Sequence, residues 1–452
     1  MSEVPVELLL DRGTVLTMTT DRPVLDRGWV GISQGRIVGV GAGDPPPARE
    51  VVDCSGDVVL PGFVNAHTHL LGAFVRGMGG DRATTLGASG NRPTVAVRLA
   101  MDQEDAYAAA RLAIVELQLS GVTATSDSQP AMRGLESQAD GTLRALSESG
   151  MHVVFYRASV DRTDFFPAST HDTADLASTE IPRLVATHRT DRMTIGIEPM
   201  ALHRVTDGLL ADLIGLARQL RLPIGIHGPY AQVVAEHPRE RWGRSAIGVL
   251  SDFGALGPDL LVHHPVVVDS VDISQLADTD TATSVCAVDN MLIGTGQAPL
   301  SRLLEAGIRT GIGLDQPNDG HDMFQLMKVT MLAQRLDGAQ WGAPETMIEL
   351  ATSGGASALA LQAGTIESGG WADLIVLDGA HPTLQPRHTV ISNLVLSTGP
   401  QAIKSVYTKG IKTVDRGRHL TWDQDEVIDS AALAMRRCLE RAGLASDLWT
   451  GW

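Results

Sequence analysis

Basic charge is scarce in this chain. Lys and Arg number 36 against 53 Asp and Glu, giving a formal net charge of −17 over 452 residues. A protein that grips nucleic acid or an anionic membrane needs a basic face, so neither partner is expected. Cysteine is scarcer still. Cys54, Cys286 and Cys438 lie far apart, are odd in number and form no CxxC pair. That excludes a disulfide framework and a Cys-rich zinc site, and leaves Cys286 as a small core residue rather than a nucleophile. Aromatic residues make up only 4% of the chain, so the core must be aliphatic and lined by Ala and Gly. No apolar run reaches the roughly 18 residues that a membrane helix needs. The opening residues MSEVPVELLLDRG lack a basic segment and a long apolar core, so no secretory signal is expected. The expected setting is the cytoplasm.

What is present is a change of texture along the chain. Residues 1–60 hold short β-rich runs broken by Gly, Asp and Pro, such as VELLLDRGTVLTM and GWVGISQGRIVGVG. Residues 370–425 read the same way, with ADLIVLDG and IKSVYTKGIKTVDRGRHL. Between them, residues 61–369 alternate strand and helix, and 426–452 form a tail with an amphipathic helix near 429–444. The length suits one large barrel with a minor domain. Eight strand candidates fall at 63–69, 122–127, 152–159, 193–199, 223–227, 260–264, 283–287 and 309–315. Amphipathic stretches separate most of them, among them 102–120, with Asp102 as N-cap, and 206–220. The expected fold is therefore α/β: a (β/α)₈ TIM-like barrel with a small composite β-sandwich built from both chain ends. The Gly-rich loop 76–94 reads equally as a substrate lid or a solvent loop.

Several of these strands are apolar along their length and then end in His, Asp or Glu. A buried strand tip is a poor place for charge unless something pairs with it, and in this barrel type active sites sit at those ends. His67-Thr68-His69 is the strongest local signal. Residues i and i+2 of a strand share a face, so both imidazoles point into the barrel mouth, where they suit a borderline metal such as Zn²⁺. A bare HxH is common, and two ordinary histidines are the competing reading.

The surrounding text carries a family resemblance. PGFVNAHTHL, LPIGIH, ALGPDLLVHH, CAVDNMLIGTGQAPLSRLLEAGI, IGLDQPNDGHDMF and GTIESGGWADLIVLD resemble the amidohydrolase superfamily, in its cytosine-deaminase-like and triazine-hydrolase branch. The resemblance runs over nearly the whole chain. It implies a metal held by His67, His69, His227 and Asp315, with Asp315 also taking a proton from water and His263 orienting that water. Three imidazoles and a carboxylate leave a coordination position open, and the metal lowers the pKa of water there from about 15.7 toward 7. One divalent ion is implied, Zn²⁺ before Fe²⁺. The expected partner is a small molecule, and the resemblance is compatible with a homodimer.

The chain departs from the family at telling places. Deaminases of this branch carry a proton-shuttling Glu three residues after the fifth-strand His, where this chain has Tyr230. An ordinary Tyr has a pKa near 10 against about 4.3 for Glu, which makes it a poor base. On the fourth strand the family's Gly-Pro-His reads Glu198-Pro199-Met200. Glu198 is open to three readings: a proton or substrate contact, a bridge with His263 to a second metal, or an ion pair with Arg157. His264 stands where relatives often have Cys, and Val285-Cys286 where they often have His-Cys. Tyr230, Glu198 and His264 are the candidates for the leaving group's acid. Arg76, Asp127, Arg157, Met200, His264 and Asp289 are candidate substrate contacts, with His203 and His321 also near strand ends. A pocket so altered points away from a standard pyrimidine, purine or triazine. The expected reaction is attack by metal-activated water on a C–N bond of a small cyclic compound, by deamination or by amide or ring hydrolysis. The loss of the shuttle Glu leaves open a lyase, decarboxylase or rearrangement at the same metal. A non-catalytic binding protein on this fold is the remaining alternative.

Overall fold

The computed structural model describes residues 5–21, 24–78, 91–131, 136–162, 167–316, 320–336 and 342–444. Residues 79–90, most of the expected lid loop, lie outside that set. The chain opens with β1 (Val6–Leu16), β2 (Val24–Ser33), β3 (Arg36–Ala42), β4 (Ala48–Asp53) and β5 (Val58–Pro61). It then enters the barrel through β6 (Phe63–Asn65), β7 (Val122–Ala131), β8 (His152–Ser159), β9 (Met193–Pro199), β10 (Ile224–His227), β11 (Leu260–His263), β12 (Ala282–Val285) and β13 (Thr310–Ile312). It returns through β14 (Leu374–Leu377), β15 (Ile403–Thr408), β16 (Ile411–Asp415) and β17 (Arg418–His419).

The two chain ends meet at β5, which pairs in parallel with β1 and antiparallel with β14. The resulting mixed sheet runs β17-β16-β15-β14-β5-β1-β2-β3, with β4 also on β1. Leu10, Val30, Ile32, Ile37, Leu374 and Tyr407 form its own apolar cluster. Because β5 leads through Gly62 directly into β6, this sheet fixes where the first barrel strand starts.

Strands β6 to β13 lie side by side in sequence order, all parallel. Backbone bonds close the ring. Ala66 N–H donates to the Ile312 carbonyl and Asp315 N–H to the His67 carbonyl, both at 2.9 Å. All eight expected strands are present. Helices cover the outside, so strands such as β8 are buried at every residue, which is why they read as continuous apolar runs rather than alternating ones. Asp102 caps the helix Gln103–Leu119 in a reciprocal box with Asp105, and Thr206 caps Asp207–Leu220. Inside the ring, Val64, Ala124, Val154, Tyr156, Leu261 and Ala282 pack together. Tyr156 is the one large ring there, and it fits because β9 offers Gly196, whose Cβ would lie 2.5 Å from the ring.

The tail helix Gln424–Arg441 docks on the barrel's rim. Ala431, Ala434, Cys438 and Leu439 pack with Leu71, Phe74 and Val97. Arg437 and Arg441 both bond the buried Asp105, and Arg111 bonds Glu426.

Arg157, at the tip of β8, is not a pocket residue. Its side chain is 1% exposed, and its three nitrogens go to Asp172, Glu180 and Ser159. No ion pair joins it to Glu198 among the described residues. The network ties the loop after β8 and the helix Ala174–His188 to the barrel. Removing one member of such a buried set leaves the others uncompensated. Arg157→Met is therefore expected to cost about 3–5 kcal/mol in denaturant unfolding. Adding Asp172→Asn and Glu180→Gln should return most of that loss. A mild single variant, or a triple variant no more stable than Arg157→Met, would refute the role given to the charges.

Candidate metal centre at the barrel mouth

His67 and His69 follow β6, where the chain leaves regular pairing. Both are buried, at 0% and 4% exposure. Thr68 between them donates its hydroxyl to the Asp315 carbonyl at 3.0 Å, which locks the two strand tips together. Gly313 permits this approach, since a Cβ there would lie 2.8 Å from the His67 Cβ.

His69 and His227 are each turned by a partner on an adjacent strand. His69 Nδ1 sits 2.6 Å from the Ser128 carbonyl, and His227 Nδ1 sits 2.8 Å from Glu198 Oε1 and 3.0 Å from the Met200 carbonyl. Carbonyls and carboxylates only accept, so both Nδ1 atoms carry the proton and donate it. Both Nε2 atoms are left as lone pairs. They face each other at 3.3 Å, a repulsive arrangement unless a cation lies between them.

Asp315 completes the set. Its Oδ1 lies 3.4 Å from His67 Nε2 and 3.1 Å from His69 Nε2. Neither nitrogen of His67 has a hydrogen-bond partner among the described residues. In a tetrahedral zinc site with bonds near 2.1 Å, ligand atoms stand about 3.4 Å apart. The separations here, 3.1 to 3.4 Å, match that edge length. The donor set thus fits a divalent metal such as zinc. Burial, the largest influence, holds His67 and His227 below the usual imidazole range. Burial works against ionising Asp315, but His264, His67 and His69 outweigh it and hold the carboxyl well below its ordinary value. Neutral imidazoles and an ionised carboxylate are the forms that bind metal.

The sixth-strand histidines exchange the places expected of them. His263 lies inside the ring, stacked on His67 with centroids 3.9 Å apart and its Nδ1 2.8 Å from Ser284 Oγ. It is His264 that reaches the mouth. Its Nε2 is 3.2 Å from Asp315 Oδ2 and its Nδ1 is 3.0 Å from Asn290 Oδ1. His67, His227, His264 and Asp315 offer donor atoms all within 4.8 Å of one another. Neighbours on a strand point to opposite faces, so His263 and His264 cannot both look the same way from a regular strand. His264 turns inward because it lies just past β11 with φ of 52°. Asp315 has φ of 57°. A non-glycine residue held there costs about 1–3 kcal/mol, and such positions cluster at functional sites.

Of the remaining candidates, Tyr230 and Met200 lie at the mouth. The Tyr230 ring is 6.1 Å from that of His264, and Met200 is buried with its sulfur 3.4 Å from Arg204. Asp127, on β7, accepts from Leu70 N–H, while burial pushes its carboxyl up to about 6. Asp289 is buried on the short helix Ala287–Leu292. Arg76 and His321 both pair with Glu116 rather than joining the histidine cluster. His203 accepts from Arg204 at 3.2 Å. Sequence reasoning missed Arg98, which lines a small cavity with His69 and Asp127. It sits in the helix Asn91–Ala100, where no sequence motif marks it.

Comparison with known proteins identifies the family. The model of the amidohydrolase family matches residues 58–412. A 5-methylthioadenosine/S-adenosylhomocysteine deaminase of Haloarcula marismortui is 30% identical over 97% of this chain and 99% of its own. A 5′-deoxyadenosine deaminase of Methanosarcina mazei is 28% identical, covering 96% and 99%. Among solved structures, an adenosine deaminase from Xanthomonas campestris with bound zinc superposes with a TM-score of 0.87 at 23% identity, over 96% of this chain and 99% of that one. An atrazine chlorohydrolase from Arthrobacter aurescens complexed with zinc reaches 0.89 at 20%, over 95% and 100%. With the family model spanning most of its length, the chain belongs to the amidohydrolase family.

Proposed function

We propose that the protein is a metal-dependent hydrolase that cleaves a C–N bond of a small nitrogen-bearing ring, with aminopurine nucleosides the first class to test. The observation that carries this is the set of His and Asp atoms spaced 3.1 to 3.4 Å apart at the barrel mouth. The names of the relatives, deaminases of adenosine derivatives, supply the substrate class.

His67, His69, His227 and Asp315 would hold a single divalent ion, zinc before iron. When bound, such an ion supplies a Lewis acid and an acidified water. With the ion bound, Asp315 Oδ2 would take the proton given up by water, beside His264 Nε2 at 3.2 Å. His264 then faces the charge that develops on the ring. Glu198 is a positioning residue in this reading. Its Oε1 is committed to His227 Nδ1, so it orients a ligand rather than bridging a second ion. Tyr230, beside His264, would donate to the departing nitrogen, the task a Glu performs elsewhere in this branch, and the proton taken from water would restore its phenol.

Elemental analysis of purified protein is expected to give about one zinc per chain, with almost none in Asp315→Ala. The zinc form is expected to release ammonia from 5′-deoxyadenosine or a related aminopurine nucleoside. A full complement of metal with no ammonia from any cyclic amine would instead favour non-deaminating chemistry, which the replacement of Glu by Tyr230 allows. No metal even after reconstitution would sink the hydrolase reading.

Glu198→Gln is expected to weaken zinc retention or activity about 10–100-fold, as loss of a partner to a metal-bound His does. Tyr230→Phe is expected to keep its zinc and lower kcat by about 10²-fold or more. Unchanged kcat in Tyr230→Phe would remove the phenol from proton transfer.

A further inference from the structure

We propose that Arg98 forms an anion subsite beside the metal donors, so that the substrate carries a carboxylate-type group near the ring that reacts. The proposal deepens the hydrolase reading and depends on it only for the identity of that ring.

Arg98 stands in the last turn of the helix Asn91–Ala100. It lines the same cavity as His69, Asp127 and Gln138. Its Nη2 donates to Gln316 Oε1 at 3.1 Å, on the residue next to Asp315. The helix end is pinned from below, because Gln138 Nε2 donates to the Arg98 carbonyl at 2.9 Å and to the Met101 carbonyl at 2.8 Å. Val97 and Met101, on either side of Arg98, pack into the cluster that includes the tail helix. The guanidinium is thus held over the mouth by a rigid mount.

Its electrostatic setting calls for an anion. No carboxylate pairs with Arg98 among the described residues. The charges around it are a second guanidinium, Arg204, on the turn Leu202–Arg204 beyond β9, and the more weakly acting carboxylates of Asp315 and Asp127. A carboxylate beside Arg98 would supply the ion-pair partner that the described residues do not, through charge-assisted hydrogen bonds, which outweigh neutral ones.

The test is calorimetric binding of nicotinate and its neutral twin nicotinamide to the zinc-loaded protein, with zinc content checked in each variant. Wild type is expected to favour the acid by about 10–100-fold. Arg98→Gln should collapse that ratio toward one with zinc retained, and Arg98→Lys should keep part of it. A wild-type ratio near one overturns the proposal even if Arg98→Gln does not fold. An unchanged ratio in folded Arg98→Gln also overturns it, since the acid is then held by the metal alone. In parallel, turnover of adenosine 5′-carboxylate against 5′-deoxyadenosine is measured. Failure to turn over either nucleoside, with the binding ratio intact, sinks the aminopurine reading and leaves the anion subsite standing.

Discussion

Four lone pairs pointed at one place govern the rest of this structure. His67, His69 and His227 present unprotonated nitrogens and Asp315 presents an anionic oxygen, with His67–Asp315, His69–Asp315 and His69–His227 separations of 3.1 to 3.4 Å. Such a cluster is unfavourable in a buried setting without a cation. It therefore needs a scaffold that holds it together, and the barrel provides one. These donor groups come from β10 and from the segments after β6 and β13, and the ring closes where β13 meets β6. The bonds from Ala66 to Ile312 and from Asp315 to His67 are at once barrel closure and ligand placement.

The layer around the ligands decides which atoms are available. Ser128 takes the Nδ1 proton of His69 and Glu198 takes that of His227, and without those acceptors the lone pairs would not face inward. Backbone strain is used in the same place. His264 and Asp315 both sit at positive φ, and their left-handed conformation brings His264 Nε2 against Asp315 Oδ2. The cost is borne by the surrounding core, which is large and aliphatic. A further shell acts at longer range. The tail helix packs on the segments that follow His69 and on the helix carrying Arg98, and its arginines neutralise the buried Asp105. The part of the chain most remote in sequence from His67 thus stiffens the floor and rim of the same mouth.

Much of the fold was legible because its signals are local. Parallel strands buried on both faces write themselves as short apolar runs, and each of the eight expected runs is a barrel strand. Asp102 caps a helix where the polar residue before an amphipathic stretch suggested a start. The cluster of His67, His69, His227 and Asp315 at the barrel mouth was legible from the placement of His and Asp at strand tips, read together with the family resemblance. Substrate contacts were not. Arg157 looked like a pocket residue because it lies near a strand tip, yet it belongs to a buried network with Asp172 and Glu180. Glu198 was open to three readings, and only the position of its Oε1 against His227 separated them.

By itself, the sequence determined the strand order, the helix starts and the identity of the chemistry-bearing tips. These depend on periodicity, capping and residue type, all of which act within a few residues. Tertiary structure decided the rest. Which of His263 and His264 faces the mouth turned on one backbone angle beyond β11. The place of Arg98 was set by packing among the first rim helix, the tail helix and Gln138, contacts that join residues hundreds of positions apart. Side-chain direction at the end of an element is a product of long-range packing, and no local pattern encodes it.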